Sequence, residues 1–159
     1  MTSTRPGTLE ARVVDARAGV TSRWTMPVLR VGMALFLLAW GLDKLLAVQG
    51  SQRIFDRFYR LSAGPSLVQA AGVAEIVIAL LLAVGVLRRP VAWTVLVLNT
   101  VSMLASWREI IDPWGKLGIG PGGTHLFLAS IIIMAVSVAL VLDAEATRRT
   151  WRRTTEEIE

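Results

Sequence analysis

Cysteine is absent from this chain, and histidine and tyrosine occur once each. The first absence excludes disulfides, thiol relays, iron–sulfur clusters and zinc–thiolate sites. A single histidine excludes bis-histidine haem ligation within one chain. Without a cysteine or second histidine it also makes a poor metal ligand, so no metal is expected. Charge is scarce: Asp, Glu, Lys and Arg make up 18% of the 159 residues, against about 25% in a soluble domain. What replaces it is apolar. Hydrophobic residues make up 53% and the mean hydropathy is +0.55. A soluble core of this length cannot hide that much apolar surface, so composition alone makes this a membrane protein.

Uncharged stretches set the organisation. Residues 117–142 and 90–107 hold no Asp, Glu, Lys or Arg, and residues 61–87 hold one charge, Glu75. Each is long enough to cross about 30 Å of hydrocarbon at about 1.5 Å per residue. A shorter run, 31–42, is extended by apolar residues beyond Arg30 and Lys44. Those two side chains lie near its ends, where they reach toward headgroups. The pattern predicts helices at 27–48, 66–87, 90–107 and 118–142. Pro27 and Pro90 stand at first turns, and a two-residue turn, Arg88–Arg89, joins the second and third helices. No strand pattern appears. The expected fold is an all-α membrane protein, an antiparallel four-transmembrane-helix bundle. A polar segment (1–25) precedes the helical domain (26–143), and a basic tail (144–159) follows it.

Two connections have their own character. In 51–61, Ile54, Phe55, Phe58 and Tyr59 share one helical face, and Arg53, Asp56, Arg57 and Arg60 share the other. That pattern predicts a short interfacial helix after helix one. The second connection, 109–124, has five glycines and two prolines and reads as a flexible loop. Its Gly118, Gly120 and Gly123 spell GxGxxG, but no βαβ unit surrounds them, so no dinucleotide site follows. Arg148, Arg149, Trp151, Arg152 and Arg153 in the tail suit anionic membrane lipid. Nucleic acid is not an expected partner, because the chain has no soluble module to bind it.

Glu75 is the sharpest single residue. An acid at mid-span is costly by about 2.5–3.5 kcal/mol unless it faces the bundle. Asn99 lies at matching depth on helix three, so a Glu75–Asn99 hydrogen bond is expected, with Ser102 and Ser106 extending the polar stripe. Two roles stay open for Glu75: interhelical glue, or a carboxyl that binds a proton or ligand. Trp40, Asp43 and Lys44 lie near the outer end of helix one. Trp107 and Arg108 follow helix three, and His125 opens helix four. With Glu75 and Asn99 they border a candidate pocket for a planar polar headgroup such as a quinone. The alternative is an aromatic belt with local ion pairs, Lys44 pairing with Asp43.

The segments RVGMALFLLAWGLDKL, with Arg30, Gly41 and Lys44, and GVAEIVIALLLAVGVLRR, with Gly72, Glu75 and Gly85, resemble the DoxX family over roughly 27–143. The resemblance implies a four-helix membrane protein. Some relatives are small subunits of a thiosulfate:quinone oxidoreductase, and others are accessory partners of redox or detoxification enzymes. It points to Arg30, Lys44 and Glu75 as the shared positions. The chain is expected to hold no intrinsic cofactor and to meet a quinone together with a protein partner that carries the redox centre. A homo-oligomer is the other expected assembly. Two further classes stay open: a small proton-coupled transporter using Glu75, and a structural assembly subunit.

Orientation follows from the basic residues. Eleven lie on the side of the termini and the 88–89 turn, among them Arg12, Arg17, Arg30, Arg88, Arg89 and Arg148, and six on the other. The positive-inside rule puts both termini in the cytoplasm of a cell-membrane protein. Single cysteines can be introduced freely at positions 89 and 119. An impermeant thiol reagent applied to intact cells is expected to label position 119 and to spare position 89.

Overall fold

A computed structural model describes the backbone of residues 7–156 and the side chains of residues 24–147. The described chain is helical, with no strand. The elements are α1 (Gly7–Leu46), α2 (Val48–Ile54, continued by a π-helical turn, Phe55–Tyr59), α3 (Pro65–Val84), α4 (Arg88–Ala105) and α5 (Trp107–Ile111). After a 3₁₀ turn, His125–Leu128, comes α6 (Ala129–Glu156).

Among the described residues three segments are long and apolar enough to cross a membrane: Trp24–Leu46, Pro65–Val84 and His125–Thr147. The expected third span, α4, differs in composition. Arg88 and Arg89 take the first two of its 18 positions and Asn99 sits inside it. The outward faces are those of a protein dissolved in hydrocarbon: Leu35, Leu80, Leu104 and Ile132 are all exposed.

The helix ends depart from expectation for local reasons. Helix α1 begins at Gly7, so Pro27 lies inside it rather than at its first turn. Strong helix formers before the proline (Leu9, Glu10, Ala11, Arg12, Ala16, Arg17, Ala18) carry the helix through it. Helix α6 runs on to Glu156, so the tail expected from residue 144 is a helical continuation. The tail's Arg148, Arg149, Trp151, Arg152 and Arg153 lie outside the described side chains. The α3–α4 turn is Gly85–Leu87, not Arg88–Arg89. Gly85 adopts φ +77°, the left-handed conformation that glycine enters without a Cβ clash. There its N–H donates to Leu82 O at 3.2 Å, and Val86 N–H donates to Leu81 O at 3.2 Å. These bonds satisfy the last carbonyls of α3, and the two arginines open α4 instead. The fourth helix does not begin at 118. Pro121 interrupts that stretch, and Gly118, Gly122 and Gly123 all have positive φ.

The connection after α1 keeps the face pattern read from its sequence. Ile54, Phe55, Phe58 and Tyr59 are half-buried, and Arg53, Asp56, Arg57 and Arg60 are exposed.

Packing is closest between α1 and α3, and next between α4 and α6. In the first pair the chains run in opposite senses: Gly41 meets Gly72 at one end and Arg30 meets Gly85 at the other. In the second, Asn99 meets Ser137 and Arg89 meets Glu145. The shared core brings together Met33, Ala34 and Leu37 of α1, Ala79 and Leu82 of α3, Val91, Ala92 and Val95 of α4, and Leu140, Val141 and Ala144 of α6.

Gly41 and Gly72 fix the α1–α3 distance. A Cβ on Gly72 would stand 2.8 Å from Gly41 O and 2.9 Å from Lys44 Cβ. A Cβ on Gly41 would stand 2.9 Å from Gly72 O. Small residues of this kind let membrane helices approach backbone to backbone. Gly32, on the same helix as Gly41, has open space around it. Gly72→Ala is therefore expected to lower stability by about 1–3 kcal/mol through overpacking. Gly32→Ala is expected to hold or raise it by about 0.5–1 kcal/mol. Thermal unfolding of the two variants in detergent checks the contrast.

Candidate functional site

One helical turn beyond the glycine contact, Lys44 Nζ donates to Glu75 Oε2 at 2.8 Å. The pair joins α1 to α3 inside their packed interface. The side chains of Lys44 and Glu75 keep only 12% and 19% of their exposure. Glu75 is therefore not bonded to Asn99, and Lys44 is not bonded to Asp43. The reason is side-chain direction. On a helix, Cβ atoms lean toward the N-terminus. Lys44 leans back along α1, where its ammonium also lies 3.4 Å from Trp40 O. Glu75 leans back along the oppositely running α3, so the two reach each other. The lysine thus turns into the span rather than outward to headgroups.

Trp40 completes this cluster. Its ring centroid is 5.6 Å from Lys44 Nζ, a cation–π distance, and Phe36 meets its edge at 6.3 Å. Trp40 itself is 42% exposed, so the cluster has one aromatic wall open to the lateral surroundings. Asp43 serves the next connection instead: it accepts a hydrogen bond from Ser51 Oγ at 3.1 Å.

Asn99 sits in a different interface. Its Nδ2 donates to Ser137 Oγ at 2.9 Å and approaches Met33 Sδ at 3.6 Å, linking α4, α6 and α1. Ser102 accepts from Tyr59 OH at 3.3 Å, and Ser106 Oγ donates to Ser102 O at 2.9 Å. The serine stripe therefore ties α4 to itself and to the turn after α2.

The remaining candidates belong to the segment joining α4 to α6. Arg108 lies over the Trp107 ring at 5.7 Å, and His125 faces Trp114 at 6.0 Å. The eight expected pocket residues thus fall into separate groups, of which Trp40, Lys44 and Glu75 form one. The expected flexible loop is instead a hydrogen-bonded cap built on Asp112, which is 2% exposed. Its carboxylate accepts the backbone N–H groups of Lys116, Leu117, Ile119 and Gly120 at 2.8–3.2 Å. Thr124 closes the far end by donating its Oγ1 to Glu109 O at 3.2 Å, and Arg57 approaches the buried Glu109 carboxylate at 4.0 Å. Asp112 was not legible in the sequence as a centre. An aspartate a few residues ahead of a glycine-rich run is the only signal it leaves.

Burial is the largest single influence on the Asp112 carboxyl and pushes its pKa upward. The four backbone bonds, from Gly120, Ile119, Lys116 and Leu117, together outweigh it and hold the group below its ordinary value of 3.8. A lowered native pKa means that the cap's stabilisation is full above the ordinary carboxylate range and is lost as pH falls through the lowered value. Asp112→Asn keeps one acceptor oxygen and loses the second. Protection of the 116–120 amides from hydrogen exchange, relative to an unstructured peptide at the same pH, is expected to fall in this variant at neutral pH, and in the wild type only on strong acidification.

The clustered residues lie where a comparison with known families finds its match. The DoxX family model aligns with residues 25–107, just over half of the chain. That stretch carries α1 from Thr25, all of α3 and all of α4. It includes both contact glycines, Lys44, Glu75 and Arg30. No curated protein and no solved structure matches the chain. With its apolar helices and the Lys44–Glu75 pair inside the matched stretch, the chain is a membrane protein that belongs to the DoxX family.

Proposed function

We propose that this protein is the membrane subunit of a quinone-linked redox or detoxification system, working with a protein partner that carries the redox centre. The observation behind this reading is the Lys44–Glu75 pair beside the Trp40 ring. It is a polar anchor within an apolar span, with one aromatic side open to the bilayer. A quinone is dissolved in that bilayer and arrives laterally. Its flat ring suits the indole face of Trp40, and its carbonyl oxygens suit a lysine ammonium as donor. Glu75 holds the ammonium in place when no ligand is bound. Reduction of a quinone to a quinol consumes two electrons and two protons. The electrons come from the partner's redox centre, because the chain itself has no cysteine and no cofactor motif, and the two protons come from water at the membrane surface. In the bilayer, α4 serves as the fourth span beside the three more apolar ones, and α2 with its π turn lies at the outer interface. Both termini then face the cytoplasm.

The pairing of Glu75 with Lys44 weighs against a lone proton-carrying acid, since its carboxylate already has a partner 2.8 Å away on the neighbouring helix. A structural latch is the remaining rival. A double variant separates the two. Lys44→Met with Glu75→Leu replaces the pair by apolar side chains of similar volume, a change that is often neutral or stabilising. It is expected to keep the wild-type thermal midpoint and to weaken short-chain quinone binding about tenfold or more, the effect of losing a charged donor. Equilibrium titration of the purified protein in mild detergent measures this. Binding equal to wild type in a folded double variant overturns the quinone reading and leaves the latch.

A further inference from the structure

At the end of α3 away from the Lys44–Glu75 pair, two guanidinium groups converge on one glycine. A Cβ on Gly85 would stand 3.0 Å from Arg30 Nη1 and 3.7 Å from Arg88 Nε. The missing side chain makes the room that both arginines share. Among the described residues one carboxylate faces them: Asp143 Oδ2, 3.4 Å from Arg30 Nη2. The neighbouring carboxylate, Glu145, is taken by Arg89 Nε and Trp93 Nε1. Among the described residues two cations therefore meet one anion, an excess of positive charge at a fixed point between α1, the α3–α4 turn and α6.

The surroundings of that point are apolar. A narrow cleft opens there, lined by Arg30 and Arg88 together with Leu82, Val91 and Leu140. It has room for about one water, so a bulky headgroup rests at its mouth rather than inside. Exposed Val84, Val86 and Leu87 continue the apolar surface beside it. A polar anion with a hydrocarbon body attached fits this combination, and a soluble anion uses only half of it. Basic pockets between membrane helices are recognised lipid-headgroup sites.

We propose that Arg30 and Arg88 form a binding site for the phosphate of an anionic phospholipid, its acyl chains lying along Val84, Val86 and Leu87. Arg88 supplies the exposed guanidinium that engages the phosphate. Arg30, 14% exposed and braced by Asp143, holds the positive charge behind it. The site is separate from the Lys44–Glu75 cluster and does not depend on the quinone reading.

Native mass spectrometry of the full chain from mild detergent tests this, with phosphatidylglycerol and phosphatidylcholine offered at equal concentration. The wild type is expected to retain one phosphatidylglycerol in preference to phosphatidylcholine. Arg88→Gln is expected to weaken that retention about fivefold, the effect of one interfacial basic residue, and Arg88→Lys to keep most of it. Arg53→Gln, an exposed arginine on α2, serves as the control for diffuse charge and is expected to change nothing. Circular dichroism confirms that each variant is folded. Equal retention of the two lipids, or an Arg88→Gln variant that behaves like Arg53→Gln, overturns the proposal. So does displacement of the lipid by glycerol phosphate at matching concentration, which identifies a general anion site with no use for acyl chains.

Discussion

The contact between Gly41 and Gly72, latched by Lys44 and Glu75 one turn away, sets the geometry on which the rest of the molecule depends. Without the glycines the helices stand too far apart for the ammonium and carboxylate to meet inside the interface. With only one member of the pair present, the close backbone approach leaves a lone charge in an apolar span. Removing one member of such a buried pair costs on the order of 3–5 kcal/mol, because its partner is left uncompensated. The charges are therefore required mainly by each other, and the close approach of the backbones is what lets both be kept.

Helix α1 carries this logic to its other end. Arg30 reaches Asp143 of α6 and packs over Gly85 of the α3–α4 turn. Between the two ion pairs, Met33 meets Asn99, which bonds Ser137. Polar links thus occur at three levels along α1, each to a different combination of neighbours. Apolar packing in a bilayer has little power to choose between partners, since lipid tails are as apolar as leucine. Paired polar groups at staggered levels supply the choice and fix which helix stands beside which.

Much of this was legible in the sequence, and the part that was not has physical causes. The apolar spans could be read because hydrocarbon thickness imposes a length on them. The family resemblance rested on Arg30, Lys44, Glu75 and their glycines, and those residues lie at the α1–α3 contact. The partner of Glu75 was misassigned because depth was counted along Cα positions. Asn99 matches Glu75 in depth, but a lysine side chain spans a full turn and leans toward its helix N-terminus. The start of the last helix was misplaced because apolar periodicity says nothing about backbone sign of φ. Three glycines at positive φ keep residues 118–123 out of the helix. Asp112 escaped because its role exists only once that loop is folded around it. Residue by residue the loop reads as punctuation, and only the backbone turns its amides toward one carboxylate.

Lys44 and Glu75 are 31 residues apart in the chain, and the chain is made from the N-terminus. At about 5–20 residues per second, the lysine is synthesised some seconds before its counter-ion exists. During that interval the first span carries an unmatched cation near its end, where a long side chain still reaches the headgroups. The second span arrives with an unmatched acid at its centre, where no such escape is open. Its lowest-energy route into the membrane is against a first span already waiting there. Biogenesis of this protein is thereby made sequential, the first helix acting as the receptor for the insertion of the second.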